Sequence, residues 1–454
     1  MQRFKAFFLK NPIRKSLDPV RLIPIVFAIG ILLGTFALCL PFATRSGEAA
    51  PLLTALFTST SAVAVTGLIV VDTPTYWSGF GQAVILILFQ IGGFGIMTAA
   101  TLLGIMAGRG FGLKDRMATQ VERNRLQAGG AVSVLKLIFF ITLAVELVLA
   151  AWLAWRFASA YGMGWGAAAW HGLFHSVSAF NNAGFSTFSD SLMGFQTDGL
   201  VLVPIMLAII VSALGFPVMQ DLRRNALRWR RWSLHTRITV VGTAALLLFG
   251  FVATMAMEWT NPSTLAPMDA GTRLLNAAVH SVMPRTAGFN SLDVGAFRDE
   301  TLMVNYFLMF IGGGSAGTAG GIKITTFAVL CAIVLSEILN RRDVSMFRRR
   351  FSHAVERQAL TVTVLAAMLI FASTAFLAAT TDLAFPAALF ETISAFSTVG
   401  LSTGITADLP PSGQLVIMLL MFVGRVGTIT AATALALNAS DLPYRFPEED
   451  PIVG

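Results

Sequence analysis

The sequence contains few charged residues for its length. Only 12% of its 454 residues are Asp, Glu, Lys or Arg, while 55% are hydrophobic, and a soluble protein of this size carries about 25% charged residues. The apolar residues lie in long runs, such as residues 23–40, 138–155 and 364–379. These runs are longer than the buried helices of a soluble core need to be, so the pattern indicates an all-α integral membrane protein.

Cysteine is also scarce, with Cys39 and Cys331 as the two examples. Both lie in apolar runs, so neither a disulfide framework nor a cysteine metal site is expected. The net charge of +8 would suggest a nucleic-acid partner in a soluble protein. Here the basic residues lie mostly between the apolar runs, so we interpret them as signals of membrane topology and predict no nucleic-acid partner.

Four short segments of the chain resemble one another. Each is mildly apolar and ends in Gly followed by Leu or Phe, and the segments are residues 55–68, 172–185, 277–289 and 388–401. The third is one residue shorter than the second between its His and its Gly, and its Arg285 has no counterpart in the others. A helix needs about 20 residues to cross a bilayer, so segments this short are expected to enter the membrane and return.

A long apolar run stands on each side of every short segment. The runs before the segments are residues 22–41, 132–158, 236–258 and 357–380, and those after them are 81–108, 199–220, 302–336 and 412–437. Basic clusters separate the units, and short loops rich in Lys and Arg stay in the cytoplasm. All clusters fall on one side only if each unit crosses the membrane twice. The sequence therefore predicts eight transmembrane helices and four re-entrant pore helices around one pseudo-fourfold pore.

These units also define a domain organisation. We assign repeat 1 to residues 22–126, repeat 2 to 127–235, repeat 3 to 236–356 and repeat 4 to 357–438, between a cytoplasmic N-terminal segment at 1–21 and a cytoplasmic tail at 439–454. A basic N-terminus before an apolar span is also typical of a signal peptide. The span is long for that role and no cleavage site of small residues follows it, so we expect it to be retained.

The glycine that ends each short segment indicates a cation filter. Backbone without internal hydrogen bonds is tolerated at membrane depth only inside protein or against water, and its carbonyl oxygens can replace the water shell of a cation. The predicted filter residues are Val65, Thr66, Gly67, Asn182, Ala183, Gly184, Thr286, Ala287, Gly288, Thr398, Val399 and Gly400. None carries a carboxylate, which favours a large monovalent cation over a divalent one.

The second apolar run of repeat 3 is interrupted by small residues. They are Gly312, Gly313, Gly314, Ser315, Ala316, Gly317, Thr318, Ala319, Gly320 and Gly321, and Lys323 follows closely. Glycine costs up to about 1 kcal/mol relative to alanine in a helix, so we expect a break in mid-membrane that faces protein or water. We interpret it as a gate under the filter. Close helix packing through small residues is the alternative, although such packing uses spaced rather than consecutive small residues.

Four motifs make the chain similar to a known family. They are Ala62-Val-Ala-Val-Thr-Gly67-Leu68, Pro284-Arg-Thr-Ala-Gly288-Phe-Asn290, Phe390-Glu-Thr-Ile-Ser-Ala-Phe-Ser-Thr-Val-Gly400-Leu-Ser402 and Phe422-Val-Gly-Arg-Val-Gly427. Nearly the whole chain resembles the Trk/Ktr/HKT superfamily of K⁺ transporters, and most of all the membrane subunit of bacterial Ktr systems. The early start of the first unit and the ending Tyr444-Arg-Phe-Pro-Glu-Glu449 also resemble the Ktr type.

This resemblance implies K⁺ uptake across the bacterial inner membrane, with both termini cytoplasmic. Gly67 matches the K⁺-selective members, since plant relatives with Ser there lean toward Na⁺, whereas the second loop belongs to a part where the family varies. The resemblance further implies a homodimer that binds a cytosolic ring of nucleotide-binding, RCK-type regulatory subunits, with Na⁺ as a candidate activator. The arginine-rich loops 223–237 and 341–357 are candidate docking surfaces for that ring.

Arg425 matches the arginine that the family carries below the filter, inside the last apolar run. A charge there is costly and usually faces the protein interior. We expect it to raise a positive barrier to the ion and to pair with the glycine-rich segment in the closed state. Glu146 is expected to pair between helices, Glu391 to anchor the fourth pore helix, and His175 and His280 to be structural.

Other functions stay open at this point. Transport of Na⁺, or of monovalent cations without selectivity, would differ only in the filter. A secondary solute transporter would also show repeats and broken helices, but commonly as two inverted halves. An enzyme is disfavoured, because the sequence shows no paired carboxylates, no nucleophile and base pair, and no G-K-[ST] ending after the glycine run.

Overall fold

The computed structural model describes residues 19–107, 129–226 and 228–427. Almost all of the regular structure in this part of the chain is helical. Most of the predicted N-terminal segment, the basic stretch after the first unit and the whole predicted cytoplasmic tail lie outside the described residues. Long and short helices alternate along the rest of the chain.

The first group of helices surrounds a buried short helix. It consists of α1 (Pro19–Leu38), α2 (Leu52–Val63), the single turn α3 (Thr73–Tyr76) and α4 (Gly79–Ala107). The short helix α2 is buried from Phe57 to its end, including its serines and threonines. Both α1 and α4 pack on α2, so the second half of α2 points into the protein.

The second group repeats this pattern with one difference. Its helices are α5 (Gly129–Tyr161), the short helix α6 (Trp165–Asn181), α7 (Gly199–Leu214) and α8 (Phe216–Asn225). The side chain of Asp198 caps α7 by accepting a hydrogen bond from the Leu200 amide at 2.9 Å, which satisfies one of the unpaired amides at the start of a helix.

The apolar run at residues 199–220, which the sequence predicts as one span, does not form one continuous helix. Helices α7 and α8 meet at an angle of 94°. Gly215 between them has a φ of +89°, and Pro217 in the first turn of α8 has no amide proton to continue the hydrogen-bond ladder of α7. The second apolar run of repeat 2 is therefore broken, as is the second apolar run of repeat 3.

The third group is interrupted where glycine is most frequent. It contains α9 (Leu234–Glu258), the short helix α10 (Ala270–Val282), α11 (Asp299–Phe310) and α12 (Ile324–Ile338). Asp269 caps α10 by accepting from the Gly271 amide at 2.9 Å. The chain between Phe310 and Ile324 is not helical.

The last group follows a short hairpin. Strands β1 (Ser345–Met346) and β2 (Arg349–Arg350) pair antiparallel, and α13 (His353–Thr380), the short helix α14 (Phe385–Phe396) and α15 (Pro411–Phe422) follow. Phe347 and Arg348 form the turn with positive φ at both residues, as a two-residue hairpin of type I′ requires. A π-helical turn, Val423–Gly427, continues α15.

Three helices of the described chain are long and apolar enough to cross a membrane: Leu135–Tyr161, Leu234–Glu258 and His353–Thr380. The bent pair α7 and α8 passes the same test when its two parts are taken together. Other apolar helices are shorter over the residues described. The eight-span arrangement therefore stays a prediction.

The distribution of polar side chains is reversed relative to a water-soluble protein. Phe36, Val148 and Phe371 on the outer helices are 70% to 72% exposed, while Ser61 and Ser394 in short helices are fully buried. Apolar side chains outside and polar ones inside fit a protein whose solvent is lipid and whose polar centre is enclosed.

Candidate functional site: a ring of four filter loops

The four short helices α2, α6, α10 and α14 lead into loops with one shared backbone feature. In every loop, two residues separated by one other residue have positive φ, and the second of them is glycine. The pairs are Val65 (57°) and Gly67 (91°), Asn182 (58°) and Gly184 (70°), Thr286 (75°) and Gly288 (72°), and Thr398 (49°) and Gly400 (92°). We call the segments 65–67, 182–184, 286–288 and 398–400 filter loops 1 to 4.

The first residue of each pair is not glycine, which is the residue that usually adopts positive φ. Positive φ is uncommon outside glycine, and it is an outlier for a β-branched residue such as Val65, Thr286 or Thr398. Each such residue costs about 1–3 kcal/mol and persists only where its surroundings hold it. Strain of this kind is concentrated at functional sites, so its repetition in four loops marks them as the candidate site.

The four filter loops contact one another in a closed ring. A methyl group placed on the glycine of each loop would meet a main-chain carbonyl oxygen of the next loop. The contacts are Gly67 with Ala183, Gly184 with Ala287 (3.0 Å), Gly288 with Val399 (2.7 Å) and Gly400 with Thr66. Loop 1 thus faces loop 2, loop 2 faces loop 3, loop 3 faces loop 4, and loop 4 returns to loop 1. A side chain at any of these glycines would push two loops apart.

Serine side chains hold three of the loops. The hydrogen bonds run from the Gly67 amide to Ser61 Oγ (3.1 Å), from the Gly400 amide to Ser394 Oγ (3.2 Å), from Ser178 Oγ to the Phe185 carbonyl (2.8 Å) and from Ser394 Oγ to the Leu401 carbonyl (2.6 Å). Each serine stands six residues before the glycine of its loop. In loop 3, which is one residue shorter, the matching position is Met283, whose carbonyl accepts from the Ala287 amide at 3.1 Å as the serine carbonyls accept from their loops, and the Met283 side chain has no hydrogen-bond donor. Loop 3 is therefore held differently.

The chain between α11 and α12 forms a loop whose two ends are joined by hydrogen bonds. Ile311 and Ile322 form a parallel bridge. The Gly312 amide donates to the Ile322 carbonyl at 2.8 Å, and the Ile324 amide donates to the Gly313 carbonyl at 3.1 Å. We call residues 312–321 the glycine loop. The paired residues at its base, 311–313 and 322–324, are called its neck. The neck satisfies backbone groups that the broken helix would otherwise leave unpaired inside the protein.

The glycine loop lies between the bend at Gly215 and filter loop 4. On one side, the Gly314 amide donates to the Ala213 carbonyl at 2.8 Å. On the other, a methyl group on Gly320 would lie 2.6 Å from the carbonyl oxygen of Ser397, which directly precedes filter loop 4. The loop therefore packs against main chain on both sides, and this explains why so many of its residues are glycine.

Three basic side chains donate hydrogen bonds to carbonyl oxygens of the glycine loop. Lys323 Nζ reaches the Ala319 carbonyl at 2.5 Å, Arg285 Nη2 reaches that of Gly312 at 3.3 Å, and Arg425 Nη1 binds that of Thr318. Within the described part of the chain, the ion pairs do not include any of these three residues. Arg285 and Arg425 are 4% and 2% exposed. Among the described residues, Arg285 and Arg425 thus bury positive charge beside the loop without a carboxylate partner.

Substituting Gly215 tests whether the bend holds the glycine loop in place. A methyl group there would lie 2.5 Å from the Ser315 carbonyl oxygen, and the φ of +89° is unfavourable for alanine. We expect Gly215→Ala to displace the loop. The rate at which a polar thiol reagent labels a Ser315→Cys variant, in a background without Cys39 and Cys331, should then increase roughly tenfold.

A matched variant controls for backbone strain at glycine in this test. Gly162 also has positive φ (+64°), but a methyl group there would meet nothing within 4 Å. Gly162→Ala should leave the labelling rate unchanged. Equal labelling in the two variants would show that Gly215 does not position the loop.

The two buried glutamates predicted to act structurally have hydrogen-bond partners. Glu146 in α5 accepts from Gln90 Nε2 of α4 at 3.1 Å and from Asn181 Nδ2 of α6 at 3.2 Å, so it pairs between helices as predicted. Glu391 in α14 accepts from Ser402 Oγ at 2.9 Å. This bond ties the short helix α14 to the chain that follows filter loop 4, as expected for an anchor.

The two buried histidines are also paired. His175 Nε2 lies 2.9 Å from Ser186 Oγ, and His280 Nε2 lies 3.1 Å from Asn305 Oδ1. Across residues 19–107, 129–226 and 228–427, three or more His, Cys, Asp or Glu side chains do not meet in a group that could hold a metal ion. The oxygen atoms that lie against the neighbouring loop in the ring are those of main-chain carbonyl groups.

Comparison with known proteins places this geometry in context. A family model described as a cation transport protein, TrkH, matches residues 31–442. The chain is 38% identical to the Ktr system potassium uptake protein B of Bacillus subtilis (strain 168), over 96% of this chain and 97% of that protein. It is 36% identical to the potassium/sodium uptake protein NtpJ of Enterococcus hirae, over 98% and 99% of the two chains.

A solved structure gives a likeness of fold. The crystal structure of the potassium transporter TrkH from Vibrio parahaemolyticus matches with a TM-score of 0.73, over 94% of this chain and 87% of that chain. The two sequences are 19% identical in this match, so it shows a shared helical fold and no more.

Proposed function

Because the chain belongs to the TrkH family of cation transport proteins, we propose that it carries K⁺ across the membrane into the cell through the ring of four filter loops. One observation carries this proposal: the glycine of each loop lies against the main chain of the next loop in a closed cycle. A ring of main-chain carbonyl groups inside a membrane protein can replace the hydration shell of a passing cation.

The chemistry of the ring favours a monovalent cation. The twelve filter positions carry no carboxylate, whereas Ca²⁺ and Mg²⁺ sites normally contain Asp or Glu. The ligands are neutral carbonyl oxygens, which suit a large and weakly hydrated ion. In this proposal K⁺ is the transported substrate, and the subunit holds no cofactor and performs no enzymatic reaction.

The names of the relatives support K⁺ as the transported ion and also suggest a second candidate ion. The Bacillus subtilis protein and a Vibrio alginolyticus protein 36% identical to this chain are both named potassium uptake proteins. The Enterococcus hirae protein is named for potassium and sodium, and its identity to this chain is nearly the same. Transport of Na⁺, or activation of K⁺ uptake by Na⁺, is therefore the second candidate.

The glycine loop and Arg425 form the gate in this proposal. The loop packs against Ser397, directly before filter loop 4, and Arg425 holds it by the Thr318 carbonyl. In this position the loop closes the path next to the filter, and the buried charge of Arg425 opposes a cation. Opening then requires the loop to leave these contacts, and the path conducts when it has done so.

The cytoplasmic surface and its partners are further parts of the proposal. Relatives are named as proteins of Ktr systems, which supports a homodimer bound to a cytosolic nucleotide-binding ring. Trp229 and Phe347 lie with their ring centroids 5.8 Å apart, so the two arginine-rich loops adjoin each other. Their exposed arginines are Arg223, Arg224, Arg228, Arg230, Arg231, Arg341, Arg342, Arg348, Arg349, Arg350 and Arg357. We propose this joint surface as the docking site.

The topology proposed for the chain follows from the same loops. Short arginine-rich loops stay in the cytoplasm, so the joint surface faces inward and the filter loops open toward the outside. We propose eight spans and four re-entrant helices in the bacterial inner membrane, with both termini in the cytoplasm.

Ion flux into liposomes tests the proposed function. Purified wild-type protein is reconstituted alone, and the initial rates of K⁺ and Na⁺ uptake are compared with those of protein-free liposomes. We expect K⁺ uptake to be several-fold faster than Na⁺ uptake. Equal rates for the two ions would contradict selective K⁺ transport, and faster Na⁺ uptake would favour the second candidate.

A further inference from the structure

Filter loop 3 is held by an arginine instead of a serine. Loops 1, 2 and 4 are tied to their short helices by Ser61, Ser178 and Ser394. Loop 3 has Met283 at the matching position and Arg285 directly before its first residue. Loop 3 therefore differs from the other three loops in the side chain that holds it.

Arg285 connects filter loop 3 to two other elements. Its Nη2 donates to the Gly312 carbonyl at 3.3 Å, and its Nη1 donates to the Thr243 carbonyl at 3.4 Å. Gly312 belongs to the neck of the glycine loop, and Thr243 lies in the span α9. The guanidinium thus bridges the filter, the neck and the surrounding scaffold.

A simple anchor does not require this residue. The serines of the other loops hold their filter segments with a small neutral group, while a buried charge without a carboxylate partner is costly. Arginine differs in having five donors in a rigid planar fork, so it can hold carbonyl oxygens on two separate elements. In this position, only the fork of an arginine can link filter loop 3 to the neck.

We propose that Arg285 is a positioning residue that couples the glycine loop to the selectivity of filter loop 3. When the glycine loop is in its closed position, the Gly312 carbonyl holds Arg285, and Arg285 fixes the strained residue Thr286 beside it. Displacement of the neck changes the position of Arg285 and with it the geometry of loop 3. This inference rests on the proposed function, and it adds that gate and filter do not act independently.

Neutral and conservative substitutions of Arg285 test the coupling in liposomes. Glutamine is too short to reach both carbonyl oxygens, so we expect Arg285→Gln to lower the ratio of K⁺ to Na⁺ uptake roughly tenfold and to raise the KM for K⁺. Arg285→Lys keeps the charge but reaches one carbonyl at most, so its ratio should lie between those of Arg285→Gln and the wild type.

Arg273 provides a matched control in the same repeat. It also donates to main-chain carbonyls, those of Met268 (2.7 Å) and Ala266 (2.6 Å), but these are not part of the filter or the glycine loop. Arg273→Gln should reduce the yield of folded protein at most, and leave the KM and the ion ratio at wild-type values.

A double variant gives a readout that a purely structural role would not change. If Arg285 acts through the glycine loop, the effect of Arg285→Gln on the ion ratio should be smaller in an Arg425→Gln background, where the loop is already released. Additive effects would overturn the coupling, since independent sites add.

The outcomes separate this inference from the proposed function. A wild-type protein without K⁺ preference contradicts the function itself. A selective wild type together with an Arg285→Gln variant of unchanged KM and ion ratio overturns only the role of Arg285. If the Arg285→Gln protein is not produced in folded form, Arg285→Lys serves as the test instead. A wild-type KM and a wild-type ion ratio in Arg285→Lys would then overturn the inference.

Discussion

Replacing Gly67 with serine is expected to remove most of the preference for K⁺ over Na⁺. Gly67 has a φ of +91°, and the first side-chain carbon of serine would collide with the Ala183 carbonyl oxygen of filter loop 2. The collision would displace a carbonyl group of the ring, and in the proposed function the spacing of these carbonyl groups distinguishes the two ions. A change of about 1.4 kcal/mol in that preference is a factor of about ten, so we expect the ratio of K⁺ to Na⁺ uptake in liposomes to fall roughly tenfold or more.

Gly404→Ser is the control for Gly67→Ser. Gly404 has nearly the same φ, +97°, but a side chain there would meet nothing within 4 Å. It therefore adds similar backbone strain without touching the ring. Wild-type selectivity in Gly404→Ser and lost selectivity in Gly67→Ser is the expected pair of results. Unchanged selectivity in Gly67→Ser would show that the ring contacts do not set ion preference.

Neutralising Arg425 is expected to increase the rate of K⁺ uptake. Arg425→Gln removes a buried positive charge and weakens the hold on the Thr318 carbonyl. A hydrogen bond to a charged group contributes about 1.5–3 kcal/mol, so the population of the open loop should rise roughly tenfold to a hundredfold. The measurement is the initial rate of K⁺ uptake per reconstituted protein, at K⁺ concentrations below and above the KM.

Arg156→Gln controls for loss of a charged arginine elsewhere. Arg156 pairs with Asp198 at 2.8 Å, at the start of α7 and away from the glycine loop. Its replacement should leave the K⁺ rate near the wild-type value. A wild-type rate in Arg425→Gln, or a rate that falls below it, would contradict a gate held shut by this residue.

The positions of the filter loops could be predicted from the sequence, but their strain could not. Gly67 and its three counterparts recur in four similar segments, and only glycine tolerates a close main-chain neighbour together with positive φ. Val65 gives no such signal. As a β-branched residue it is expected to have negative φ, and the packing of four loops in the ring overrides that preference.

The bend in repeat 2 had a sequence signal that hydropathy concealed. Gly215 and Pro217 stand close together, and such a pair marks a boundary between elements. The residues around them continue the apolar character of the run to Met219, so an interpretation based on hydropathy extends the span through the bend. The neighbouring glycine loop stabilises the corner, and this contact joins two repeats.

The contacts of the buried arginines depend on the folded structure. Arg425 and Thr318 are 107 residues apart in the sequence, and no spacing rule connects them. The cost of a charge in a membrane helix predicts that Arg425 faces the interior, and the structure adds its partner. Arg285 stands out in sequence as a residue without a counterpart, whereas its link to the neck requires the fold.

Because one closed ring is built from four repeats, comparing the four filter loops shows which residues each position tolerates. At the first filter position the copies carry Val65, Asn182, Thr286 and Thr398, and at the second Thr66, Ala183, Ala287 and Val399. At the third all four have glycine. Main-chain contact between neighbours leaves the first two positions free to vary and holds the third invariant, so a substitution at one glycine is felt by a loop that was not mutated.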